Sequence, residues 1–232
     1  MKINTELERV KAVQRYLEFN QDREKDLKEI TMLASVICKT PIALITLMDT
    51  DVQLVKAGVG IEVEEMPRST SFCTHAIEID EIMEVRDATL DIRFADAPVV
   101  TNDPHIRFYA SANLKSYDGF NVGTLCVYDF EPKKLDEQQL ECLSALANQV
   151  SHIMELDRSL KQLKNQNAIL SEIARIESHE IRQPVASILG VMALIKEFGT
   201  ENMEYMQLLE LSVNQLDERI RTIVTHTNTY TE

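Results

Sequence analysis

The sequence has no tryptophan, and only six glycines and four cysteines in 232 residues. The scarcity of glycine and that of cysteine each remove a class of function. The glycines are Gly58, Gly60, Gly119, Gly123, Gly190 and Gly199, from which neither G-x-G-x-x-G nor G-x-x-x-x-G-K can be assembled, so a phosphate-cradling loop of either kind is excluded. No H-E-x-x-H occurs. Cys38, Cys73, Cys126 and Cys142 are scattered without a C-x-x-C, and Cys73 with His75 is too small a set for a closed zinc site, so no metal is expected. The opening residues Met1 to Glu6 carry no apolar core of a secretion signal. Free thiols in a reducing cytoplasm are therefore expected, not a disulfide framework. No apolar run approaches the roughly 20 residues of a bilayer span, so no membrane insertion is expected. Basic residues are outnumbered, 24 against 38, for a net charge of -14, which argues against nucleic acid as a partner. Residues 1–157 hold 16 basic and 28 acidic residues, so the acidity belongs to the first part of the chain.

What is present suffices for a core, with 44% hydrophobic residues. Apolar spacings of three and four predict helices over Thr5 to Phe19 and Asp22 to Cys38, the second stopped by Pro41. From Ile42 the period changes. Ile42 to Met48 reads as a buried strand and Val52 to Val59 as its hairpin partner, joined by Asp49-Thr50-Asp51. Ile82 to Val85 reads as a weaker strand. Ile106, Phe108, Ala110, Ala112 and Leu114 alternate as a half-buried strand does. Asp118-Gly119 then predicts a tight hairpin turn, with both turn residues at positive φ, before a strand over Val122 to Tyr128. Short helices are expected around 71–77 and 91–97.

After Asp136 the pattern is helical throughout. Leu156, Leu160, Leu163, Asn167, Leu170, Ala174, Glu177, Ile181, Val185, Ile188, Met192 and Ile195 follow steps of four and three that alternate except for two consecutive fours from Glu177 to Val185, a heptad seam interrupted at Asn167 and Glu177. A second seam runs from Met206 through Leu209, Val213, Leu216, Ile220, Ile223 and Thr227 to Tyr230. Gly199 between them suits a helix C-cap. A helical hairpin with one apolar seam per helix cannot bury both seams alone, which predicts a homodimeric four-helix bundle.

His179 lies two residues past seam position Glu177, about 200° round the helix, and so is expected to face outward. A free imidazole is a competent nucleophile near neutral pH. Gln183 follows one turn later, and Pro184 removes a helix hydrogen bond where it should bend the helix. The run Ser178-His179-Glu180-Ile181-Arg182-Gln183-Pro184 resembles the H-box of the sensor histidine kinases, whose first hairpin helix reads S-H-E-[LI]-R-x-P. The resemblance implies that His179 is a phosphoacceptor, Glu180 the adjacent acid assisting transfer, and Pro184 the bend that passes signals. The position of Gln183 is usually threonine or asparagine in that family. The family's ATP-binding domain is missing from these residues, so autonomous kinase activity is not expected. The phosphate partner would be a receiver domain of a response regulator, or a histidine kinase acting in trans.

Five ordered segments, Pro41 to Asp49, Ser71 to Ile77, Asp91 to Asp96, Ile106 to Ala110 and Asp118 to Asp129, resemble the GAF domains of bacterial sensors. That resemblance implies an α+β fold, an antiparallel sheet with helices on one face and a small pocket on the other. A long signalling helix would lead from it into the hairpin. The expected modules are a GAF sensor over 1–155 and a phosphotransfer hairpin over 156–232. Phe72, Cys73, His75, Phe108, Tyr109, Ser111 and Asn113 are expected near the pocket, with an unidentified small molecule as the only candidate ligand and no assured cofactor. The alternative to a phosphorelay protein is a non-catalytic dimeric scaffold that docks kinases or response regulators. GAF-like reductases of free methionine sulfoxide use clustered cysteines, an arrangement the dispersed cysteines here are not expected to form.

Overall fold

The computed structural model describes residues 3–17, 21–80, 82–199 and 203–229, with the backbone alone for 3–4, 21–22, 172–180, 198 and 223–229. It divides into two compact units, Met1–Leu160 and Lys161–Glu232.

The first unit is built on a six-stranded antiparallel sheet. In chain order its elements are α1 (Ile3–Gln14), α2 (Gln21–Cys38), β1 (Ile42–Met48), β2 (Val52–Val59), β3 (Glu65–Pro67), α3 (Phe72–Ala76), β4 (Met83–Val85), α4 (Pro98–Thr101), β5 (Phe108–Lys115), β6 (Asn121–Asp129) and the first turns of α5 (Glu137–Phe198). The strand order is β3-β2-β1-β6-β5-β4. Central β1 is buried at every position, which is why it reads as a continuous apolar run without alternation. β1 and β6 pack backbone to backbone at Gly123, where a Cβ would sit 1.9 Å from the Thr46 carbonyl oxygen.

Alternation along the strands separates two cores. On one face Ala43, Ile45, Leu47, Phe108, Ala110, Ala112, Leu125 and Val127 meet Val13 of α1, Leu27 and Ala34 of α2, and Leu143, Ala147 and Val150 of α5. On the other, Ile42, Leu44, Tyr109, Cys126 and Tyr128 meet Phe72, Cys73, Phe94, Val100 and Ile106. The first core is mostly aliphatic, with Phe108, Tyr16 and Cys38 as exceptions; the second is rich in aromatic rings and holds two facing thiols.

The helix after Asp136 and its Gly199 C-cap form as expected. Gln139 N–H donates to Asp136 Oδ1 at 2.8 Å and Asp136 N–H donates to Gln139 Oε1 at 3.0 Å, a reciprocal cap that starts α5. Gly199, at φ +87°, donates its N–H to the Ile195 carbonyl and ends it. Other expectations are not met. Residues 91–97 form turns, and the nearby helix is α4, one turn long and starting at Pro98. The β5–β6 connection is a five-residue loop, Ser116 to Phe120, in which Gly119 alone takes positive φ, so the expected two-residue turn is not formed.

The second unit pairs the remainder of α5 with α6 (Met203–Thr229). α5 passes through Pro184 as one helix. Pro184, Val191 and Ser212 are buried, and Ser212 Oγ donates to Ser187 Oγ at 3.0 Å across the hairpin. Seam residues Met192, Met206, Val213 and Ile220 stay exposed in one copy of the chain.

Candidate functional site

On the sheet face away from α1, α2 and α5, the sequence Ser71-Phe72-Cys73 starts α3. Ser71 caps it by accepting the Cys73 N–H at 3.0 Å, which turns Phe72 and Cys73 toward the sheet. The Phe72 ring stacks between Phe94 at 4.2 Å and Tyr109 at 4.9 Å. Beside it opens a concavity of about 550 Å³, open solvent at its mouth included, with Leu44, Met66, Phe72, Ile106 and Tyr128 among its walls.

Beneath the aromatic wall lies a sealed layer of hydroxyls and thiols. Thr124 Oγ1 lies 3.2 Å, Tyr109 Oη 3.4 Å and Tyr128 Oη 3.7 Å from Cys73 Sγ. Cys126 Sγ is 3.9 Å from Cys73 Sγ and 3.5 Å from the Leu44 carbonyl oxygen. The two thiols, read as dispersed because 53 residues separate them, thus share one site. Burial opposes a thiolate at Cys73. The donors converging from Cys126, Thr124, Tyr109 and Tyr128 outweigh it and hold that thiol below the ordinary range. Burial, with Cys73 facing it, pushes Cys126 well above. Both sulfurs are closed to solvent, so they pack the fold and present no exposed nucleophile. Among the described residues no group of three or more His, Cys, Asp or Glu side chains could hold a metal.

The seven residues expected at the pocket separate by role. Phe72 lines it. Cys73, Tyr109 and Ser111 belong to the buried layer behind it. His75 packs edge-on against Phe94. Asn113 Nδ2 donates to the Ala76 carbonyl at 3.1 Å and to that of Ile79 at 2.5 Å, pinning the end of α3 to β5. Phe108 is a correction. It faces the opposite core, since neighbours on a strand point to opposite faces and Tyr109 holds the pocket side. Ile42, Met66, Val99 and Pro104 line the pocket and were missed: β1 is buried on both faces and so does not mark its pocket side, while three-residue β3, one-turn α4 and the loop after it carry no periodic signal.

In the second unit, His179 and Glu180 fall where the helical backbone of α5 alone is described; their side chains lie outside the described residues. Gln183 is exposed one turn on, and Pro184 is buried.

The GAF domain family model matches residues 22–154. The chain belongs to the GAF family. This places its first unit among the sensory modules of signal transduction. A cyclic di-GMP phosphodiesterase of Pseudomonas aeruginosa is 36% identical over 167 residues, which is 72% of this chain and 28% of that protein. The chain therefore spans little more than a quarter of its relative's length. Two solved structures share the fold. One is the GAF domain of an Acinetobacter phosphoenolpyruvate-protein phosphotransferase, at 15% identity and TM-score 0.50, covering 69% of this chain and 96% of that one. The other is a free methionine-R-sulfoxide reductase of Neisseria meningitidis, at 16% identity and TM-score 0.51, covering 67% and 89%. Among the described residues no helix is long and apolar enough to cross a membrane.

Proposed function

We propose that this protein is a cytoplasmic two-component signalling protein, in which the pocket of the GAF unit takes up a small-molecule signal and the hairpin offers His179 as a phosphoacceptor in trans. The reading is carried by the run Ser178-His179-Glu180-Ile181-Arg182-Gln183-Pro184, set in the first helix of a helical hairpin and joined by that helix to a GAF unit. A ring nitrogen of His179 displaces ADP from ATP held on an ATP-binding domain outside these residues, or takes the phosphoryl group from a receiver-domain aspartate. Glu180 holds the ring proton and so sharpens the attacking nitrogen. The exposed seam residues Met192, Met206, Val213 and Ile220 support a second copy completing a four-helix bundle.

The test is phosphorylation of His179 in protein isolated at neutral to alkaline pH from cells that make it, with pure protein plus ATP as control. Phosphate on His179 in cells, absent with ATP alone and abolished in His179→Ala, is the expected result. An unmodified His179 across growth conditions, with output unchanged in His179→Ala, would replace the phosphorelay by the scaffold reading.

A further inference from the structure

The chemistry of the pocket wall narrows what the GAF unit can bind. Three hydroxyls edge the pocket, and each has its proton committed elsewhere. Thr70 Oγ1 donates to the Pro67 carbonyl at 3.3 Å. Ser71 Oγ donates to Gln53 Oε1 while accepting from Cys73 N–H. Tyr128 turns its hydroxyl into the thiol layer, 3.7 Å from both sulfurs, and leaves the pocket the side of its ring. No Lys, Arg, His, Asp or Glu is in the lining.

Two arginines that flank the lining segments point elsewhere. Arg68 Nη1 donates to Glu6 and to the Asp49 carbonyl, and Arg107 Nη1 donates to the Val100 and Ile106 carbonyls. The segment forming the mouth carries Glu62, Glu64 and Glu65, all exposed, between lining residues Ile61, Val63 and Met66. A phosphate or carboxylate entering here would lose its hydration, find no cationic side chain in the lining and no uncommitted side-chain donor, and pass three acidic residues on the way. An uncharged apolar molecule loses nothing and gains burial against walls whose position is already set by the stacking of Phe72 between two rings.

We infer that this pocket binds an uncharged, largely apolar small molecule and rejects nucleotides and other organic anions. The inference rests on the reading of the GAF unit as a ligand-binding sensor and specifies the chemical class of its ligand.

The experiment titrates the full chain with N-phenyl-1-naphthylamine, a neutral dye that brightens in apolar surroundings. Cyclic GMP and cyclic di-GMP are followed in parallel by calorimetry. Val99→Trp fills the pocket from the partly exposed helix α4, and Ile61→Trp does so from the exposed mouth; circular dichroism checks that each is folded. The expected result is saturable dye binding at one site per chain, weakened at least tenfold in either folded variant, with no heat from the nucleotides. The dye also reports exposed helix faces, so binding that both folded variants leave unchanged overturns the inference. Saturable nucleotide binding that is lost in the variants overturns the ligand class and leaves the sensory reading standing. No saturable binding of any of the three probes overturns both.

Discussion

At the scale of residues, Arg9 shows how a single charge is made structural. It is 2% exposed, yet its Nη1 donates to the Met48 carbonyl at 2.6 Å and its Nε and Nη2 to Glu6 at 2.8 Å. Arg68 reaches the same Glu6 carboxylate at 2.6 Å, so two guanidinium groups and one carboxylate tie α1 to the β1–β2 turn. Arg9→Met keeps the aliphatic stem and removes the donors, leaving the carbonyl unanswered in a closed site. The expected loss is about 2–4 kcal/mol, read as a shifted urea midpoint at unchanged slope. Partial burial raises the Glu6 carboxyl, but Arg9 and Arg68 together pull it below the usual carboxylate range. A carboxylate depressed in the folded state stabilises that state above its unfolded pKa, near 4.3, and the contribution is lost as pH falls through the folded value. The melting temperature of the first unit should therefore drop on acidification below about pH 4, and less steeply in Glu6→Gln. Equal acid limbs in the two proteins would show that Glu6 carries no such linkage.

Among the elements, β1 and β6 are the least tolerant. Their approach at Gly123 leaves no room for a methyl group, because the obstacle is the Thr46 backbone and not a side chain that could swing aside. Gly123→Ala is expected to cost 3 kcal/mol or more, roughly the upper end for overpacking, whereas Gly119→Ala, with nothing within 4 Å of its Cβ, meets only the penalty of its positive φ. Comparing the thermal midpoints of the two variants checks the ranking. β1 and β2 were legible to the residue, since a seven-residue apolar run and its turn leave one reading. β3, three residues long with one half-buried side chain, has no pattern to read. Residues 91–97 mislead for a different reason. The Asp91 side chain takes the Arg93 backbone N–H and guanidinium, a local arrangement that competes with a helix. The pairing of Cys73 with Cys126 was out of reach, because it depends on a register between α3 and β6 that no sequence spacing encodes.

For the whole molecule, the two units differ in how they are held together. The first has two closed cores within one chain. In the second, the contact among the described residues centres on Pro184, Val191 and the Ser187–Ser212 bond, and many of the described apolar side chains are uncovered. Heating the full chain should give two transitions, and the one belonging to the helices should rise with protein concentration, as mass action requires when a second copy supplies the missing surface. Scanning calorimetry over a hundredfold concentration range measures this, and a fixed helical transition would contradict association. The sheet itself has a longer-term consequence. Because Tyr109, Cys126 and Tyr128 point one way while Ala110, Leu125 and Val127 point the other, the same strands serve two readers that never share a side chain. Mutation can rewrite the aromatic face to suit a new stimulus while the aliphatic face that seats α5 goes on unchanged. The face that holds the pocket and the face that seats α5 are thus two sides of one page, each open to revision without the other.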